Sequence, residues 1–178
     1  MYLPATPSSP RLPAQNRDLS PGAAYNTDMP AQQATYEDAN LVLRLYELRR
    51  EEKLRAARAW FAANFKASTV EDMVRIAPPG SQENAYVRMV ASYWEMVAAF
   101  VTSGVLNQEL FFQTNGEMLF VWERLREVVP SFRESTKNPN SWHNLEIVGN
   151  SFIKWMQSHG PEAYPAFQAM VKGVAAAR

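Results

Sequence analysis

From residue 35 onward the apolar residues recur at three- and four-residue spacing, and nowhere do they sustain the two-residue alternation of a half-buried strand. A chain with that pattern has one route to a core, which is to pack the apolar stripes of helices against one another. The punctuation agrees. Thr35 ahead of Asp38, and Ser68 ahead of Glu71, have capping-box spacing, in which hydroxyl and carboxylate each satisfy an exposed amide. The first box predicts a long helix to about residue 65, and the second a short one ending before Pro78-Pro79-Gly80. A third helix is expected from Gln82 to Thr102, with Gly104 suited to the left-handed C-terminal position. Asn107 is placed to cap a short fourth helix over 109–113. A fifth runs from Glu117 to Val129, where Pro130 interrupts it, and a sixth over 144–158, closed by Gly160-Pro161. A weaker segment, 162–174, follows. The expectation is an all-α fold, a compact bundle of five to seven helices over residues 35–178.

The long first helix has a weak point. Leu41, Leu45 and Leu48 form one stripe and Ala56, Ala59, Trp60 and Ala63 resume it, but the charged run Arg49-Arg50-Glu51-Glu52-Lys53 lies between. Such a middle marks a solvated stretch or one end of a helix hairpin.

Composition changes sharply before residue 35. Residues 1–34 hold six of the twelve prolines and only Arg11, Arg17, Asp18 and Asp28 as charges. That stretch cannot bury enough apolar surface to offset the entropy of ordering it, and it reads as an extended or disordered tail. Pro4, Pro7, Pro10 and Pro13 match the three-residue turn of a polyproline helix. A plain solvated tail is the preferred reading, and a PxxP ligand for an aromatic groove is the alternative.

The whole chain has 178 residues, a length that suits one domain, and 47% of them are hydrophobic, enough for a core. The absence of cysteine excludes disulfides, thiolate metal sites and a Cys nucleophile. His143 and His159, sixteen apart, have no metal-ligand spacing, and no metal site or cofactor is expected. Neither a phosphate-cradling glycine loop, nor an HExxH helix, nor a nucleophile elbow occurs. No apolar run approaches the ~18 residues of a membrane span, and the N-terminus lacks the pattern of a secretory signal. A cytoplasmic protein is the expectation.

Formal net charge is zero, which argues against a dedicated nucleic-acid binder. By segment the chain is uneven: +2 over 35–67, −5 over 68–123 and +3 over 124–178. The acidic middle holds two glutamates inside apolar runs. Glu95 has Ala91, Ser92, Ala98 and Ala99 as helical neighbours, a small-residue face that lets another helix approach and bury the carboxylate. Glu123 follows Trp122 and precedes Arg124-Leu125-Arg126, which offers cationic partners. A buried carboxylate needs such a partner or loses its charge. The functional alternative is a pocket walled by Tyr93, Trp94 and Trp122, with Glu95 and Glu123 acting as acid and base beside Arg124. The structural alternative, which is preferred, is an internal Glu–Arg pair that fixes helix register. A weaker alternative is RNA binding through Arg49, Arg50, Lys53, Arg55 and Arg58.

The run YWEMVAAFVTSGVLNQELFF at 93–112, with FVWERLREVVPSF at 120–132, resembles a bacterial family of uncharacterised proteins, a domain of unknown function. Tyr93, Trp94, Glu95, Gly104, Glu109, Trp122 and Glu123 carry the resemblance, which covers roughly residues 36–158. It implies an all-helical fold and supplies no activity. Many proteins of that pattern have membrane-spanning segments ahead of it, where this chain has its proline-rich tail. The functional expectation is a non-enzymatic interaction or scaffold module, with a protein partner or self-association, and with a small-ligand-binding or hydrolytic protein as the alternative.

Overall fold

The computed structural model describes residues 33–173, so the expected tail lies outside the described residues except for its last two positions. Within them the chain is all-helical, with nine helices and no strand. They are α1 (Tyr36–Arg49), α2 (Glu52–Asn64), α3 (Val70–Ile76), α4 (Gln82–Thr102), α5 (Gln108–Thr114), α6 (Gly116–Leu125), α7 (Val129–Thr136), α8 (His143–His159) and α9 (Ala163–Lys172). The count exceeds the expected five to seven for two local reasons. The charged run does split the first helix, because the Glu51 carboxylate accepts from the Leu54 amide at 2.9 Å and caps a new helix. Pro130 does not end a helix but sits in the first turn of α7, where its missing N–H costs no hydrogen bond.

Most of the other signals behave as their spacing predicts. Thr35 and Asp38 form the full capping box of α1. Asn107 accepts from the Leu110 amide at 2.9 Å, and Gly104 takes φ 74° after α4. The second box slips by one residue: Thr69, with Asp72, caps α3 in place of Ser68. No helix among the described residues is long and apolar enough to cross a membrane.

The long α4 occupies the centre, packed between α2 and α8, while α6 runs against α4, α8 and α9. Its buried residues, among them Val87, Val90, Trp94, Val97 and Ala98, recur at three- and four-residue intervals and face these neighbours. Phe61 from α2 and Phe65 just past its end, Phe111 from α5, Met118, Leu119 and Leu125 from α6, and Leu145 from α8 complete one continuous core. Trp122 lies against the backbone of Gly149, so α6 and α8 approach closely at that point.

The first helix is held more lightly, touching mainly α5 and α2. One tie is the Asp38 carboxylate, which completes the capping box and also accepts the Asn107 amide at 2.6 Å, joining the start of α1 to the start of α5. Its hydrogen bonds to Thr35, then that to Asn107, lower its pKa below the ordinary 3.8. A depressed carboxylate stabilises the fold above its unfolded pKa and stops doing so as pH falls through the folded value. The attachment of α1 is therefore expected to hold down to pH 3.8 and to weaken below it. Hydrogen exchange should show the α1 amides losing protection there before those of α4. Asp38→Asn should remove that difference, and an α1 that stays protected in step with α4 would contradict the assignment.

Candidate functional site

Glu95 stands on the small-residue face of α4, as the sequence suggests, and the helix that comes to it is α8. The N-cap position of α8 is Trp142, a bulky residue at φ 54° whose side chain makes no capping bond. Such a left-handed conformation costs about 1–3 kcal/mol for a residue with a Cβ. Stacking of the indole on Phe132, with centroids 4.2 Å apart, helps to hold it there. Glu95 supplies the missing cap from another helix. Its carboxylate accepts the Asn144 amide at 3.1 Å, the Asn144 side-chain amide at 2.9 Å and the Leu145 amide at 2.8 Å. A carboxylate at a helix N-terminus also faces the positive end of the helix dipole.

Glu123 has a different setting. Its side chain is 1% exposed and accepts from Arg126 at 2.9 Å, from the Tyr164 hydroxyl at 2.8 Å and from Gln168 at 3.3 Å. The cluster pins α9 to α6. The arginine that meets Glu123 is Arg126, three residues on and on the same helix face, while Arg124 forms no ion pair with it. Burial raises the pKa of Tyr164, and its bond to Glu123 adds to the shift.

The two carboxylates do not share a cavity. Glu95 edges a groove of about 610 Å³ with Met73, Arg88, Met89, Phe132 and Trp142, whereas Glu123 edges a separate cleft of about 280 Å³. Trp94 and Trp122 wall neither, being 0% and 3% exposed and committed to the core. Tyr93 is buried beside Trp94 and donates its hydroxyl to the Leu45 carbonyl at 2.8 Å, another tie between α1 and α4. Burial pushes its pKa up to about 12. The alternative of an aromatic-walled acid–base pocket is thus not supported: Glu95 is engaged by α8 and Glu123 by Arg126 and α9, and the tryptophans that were to wall the pocket lie inside the core.

The basic stretch also resolves into parts. Arg58 makes a two-pronged ion pair with Glu117 of α6, and Arg49 reaches the same carboxylate at 3.3 Å. Arg49 also lies over the Trp94 ring, 5.4 Å from its centroid. These two arginines face inward and leave Arg50, Lys53 and Arg55 exposed. Glu117 has no unusual signal in its own segment; nothing there reveals that the end of α1 and the middle of α2 will each bring an arginine to it.

A second feature was only half visible in the sequence. The side of α1 turned from the core carries Tyr36, Leu43 and Tyr46, at 77%, 61% and 50% exposure, whereas Leu48 lies on another flank of the helix, beside Leu54 and Tyr93. Positions 36, 39, 43, 46 and 50 follow alternating three- and four-residue steps, the spacing of a helix-pairing seam. The sequence displays the leucines, but which stripe faces inward depends on where α5 and α2 sit.

Among the described residues no group of three or more His, Asp or Glu side chains is placed to hold a metal ion. His143 is exposed in the first turn of α8, and His159 in its last turn packs on Trp155 with centroids 4.4 Å apart.

The protein these features define is an all-helical assembly around α4, whose polar interior consists of helix caps and ion pairs between helices. A family model covers residues 34–155, more than half of the chain, and the protein belongs to that family, DUF4760, a domain of unknown function. No curated protein and no solved structure matches the chain.

Proposed function

We propose that the protein is a non-enzymatic interaction module that pairs with a second copy of itself through the outward face of α1. The observation that carries this reading is the exposed apolar seam Tyr36–Leu43–Tyr46 on a helix whose other side is already packed. Large apolar side chains grouped on one helix face mark an interaction surface more often than scattered ones do. The charges favour a second copy as the occupant. The seam begins beside Glu37 and ends at Arg50, so antiparallel pairing about Leu43 sets Arg50 of one chain next to Tyr36 and Glu37 of the other. Arg50 already approaches an aromatic face within its own chain, at 5.8 Å from the Tyr46 centroid. Antiparallel helix dipoles support the same arrangement. The engagement of both Glu95 and Glu123 in helix-to-helix bonds supports a binding role over proton-transfer chemistry. A cytoplasmic setting is part of the proposal, in keeping with the cysteine-free composition.

Sedimentation velocity of the full-length chain across micromolar to millimolar concentration tests it. The expected result is a monomer–dimer equilibrium that Leu43→Glu shifts to monomer while leaving the melting temperature of the monomer unchanged. A wild-type chain that stays monomeric throughout, or a dimer untouched by Leu43→Glu, would reject α1 self-pairing.

A further inference from the structure

Five arginines among the described residues are partly buried: Arg49, Arg58, Arg124, Arg126 and Arg133. Four of them meet a carboxylate. Arg49 and Arg58 share Glu117, Arg126 meets Glu123, and Arg133 meets Glu146 at 2.8 Å. Arg124 meets none. Its guanidinium lies over the Phe120 ring at 5.2 Å from the centroid, and its Nε is buried with no acceptor. Loss of hydration without a compensating anion lowers its pKa, and burial is the sole cause of that shift. A guanidinium has five donors and no acceptor, so a partly dehydrated one without an anion is an uncompensated cost.

The surroundings of Arg124 identify what would compensate it. It borders the cleft of about 280 Å³ that lies between the α2–α3 connection at Lys66 and Ser68, the end of α6 and the end of α9 at Lys172. Three cations therefore surround the space. Two acids also line it, but Glu123 is engaged with Arg126, Tyr164 and Gln168. Glu127 accepts from the Ser68 hydroxyl at 2.9 Å and stands 4.0 Å from Lys172. Arg124 and Lys66 remain without an acidic partner.

We infer that this cleft is a binding site for a phosphate monoester group, held by the Arg124 fork and flanked by Lys66 and Lys172. A planar guanidinium matches two oxygens of a phosphate at once, and lysines add point charge around it. The small volume admits the phosphate and a body of few heavy atoms, or the headgroup of a phosphate-bearing lipid whose chains stay outside. Glu127 opposes an arriving dianion and competes with it for Lys172, so it sets an upper bound on affinity. The site is independent of the α1 seam and stands whether or not the chain pairs with itself.

Amide NMR of the full chain tests the inference, with inorganic phosphate and glycerol 1-phosphate as probes and sodium chloride at matched ionic strength as the control. Saturable shifts are expected at residues 66–68, 124–127 and 171–172 with both phosphates and not with chloride. Arg124→Gln, which removes a partly buried cation without an acidic partner and should still fold, is expected to weaken binding roughly tenfold or more. Glu127→Gln is expected to tighten it severalfold and provides a gain that no folding defect can imitate. Vesicles of phosphatidylcholine with and without phosphatidic acid form the second arm. Retention on phosphatidic acid alone, lost in Arg124→Gln, assigns the phosphate to a lipid headgroup; a response to glycerol 1-phosphate without retention assigns it to a soluble metabolite. Absence of both responses, or equal binding by folded Arg124→Gln, would overturn the inference.

Discussion

Gly149→Ala is expected to destabilise the protein by about 3 kcal/mol, near the upper end of what overpacking does in a closed core. A Cβ built on Gly149 would lie within 3.0 Å of Cγ, Cδ1 and Nε1 of Trp122. The neighbour is a rigid ring, 3% exposed and packed on all sides, so it cannot swing away as the end of a lysine could. Either α8 must move off α6 or the indole must leave its rotamer, and both open the core. Thermal unfolding should report a fall in Tm of about 10 °C for a domain of this size. The decisive comparison is a double-mutant cycle with Trp122→Leu. Trp122→Leu alone empties a large site and costs several kcal/mol, yet with it in place Gly149→Ala should cost much less. Additive effects would show that the close approach of α6 and α8 is not what limits position 149.

Glu95→Ala is expected to cost about 2–4 kcal/mol, because it removes three hydrogen bonds to the first turn of α8 and leaves two backbone amides without an acceptor. Glu95→Gln should recover only part of that. A Gln side chain presents one oxygen and an NH2 group, and the NH2 would face donors. Hydrogen exchange locates the damage: the Asn144 and Leu145 amides should lose protection before the rest of α8. If Glu95 were instead held for proton transfer, Glu95→Gln would leave stability intact and the α8 amides protected.

These two residues illustrate how far the sequence can be read. Glu95 is recognisable as unusual from its own neighbourhood, since a carboxylate within an apolar run needs a partner. That the partner would be the N-terminus of α8 is not legible, because Trp142 and Asn144 stand nearly fifty residues away and carry no capping signal of their own. Gly149 shows the converse. In sequence it is a helix-interior glycine with a modest propensity penalty; only the arrival of Trp122 makes it indispensable. Glu123 followed local logic to the extent that an arginine answers it. The 3.6-residue period selects Arg126 over the adjacent Arg124, which borders the same cleft as Glu123 but makes no ion pair with it.

The boundaries follow the same division. The Thr35–Asp38 box, the Asn107 cap and Gly104 act through bonds spanning a few residues, and each is realised as its spacing predicts. The break at Glu51 and the start of α7 at Pro130 depend on balances within one turn, and they raise the helix count above the expected range.

What the sequence determined by itself was the all-helical class, most helix starts and stops and the absence of cysteine chemistry, because apolar periodicity, local capping and composition require no knowledge of distant residues. Only the tertiary structure decided which glutamate meets which helix, which arginine lacks an anion and which stripe of α1 remains outside. Those outcomes depend on how helices far apart in the chain are oriented about α4, and a helical period alone does not specify which side of a helix its neighbours will cover.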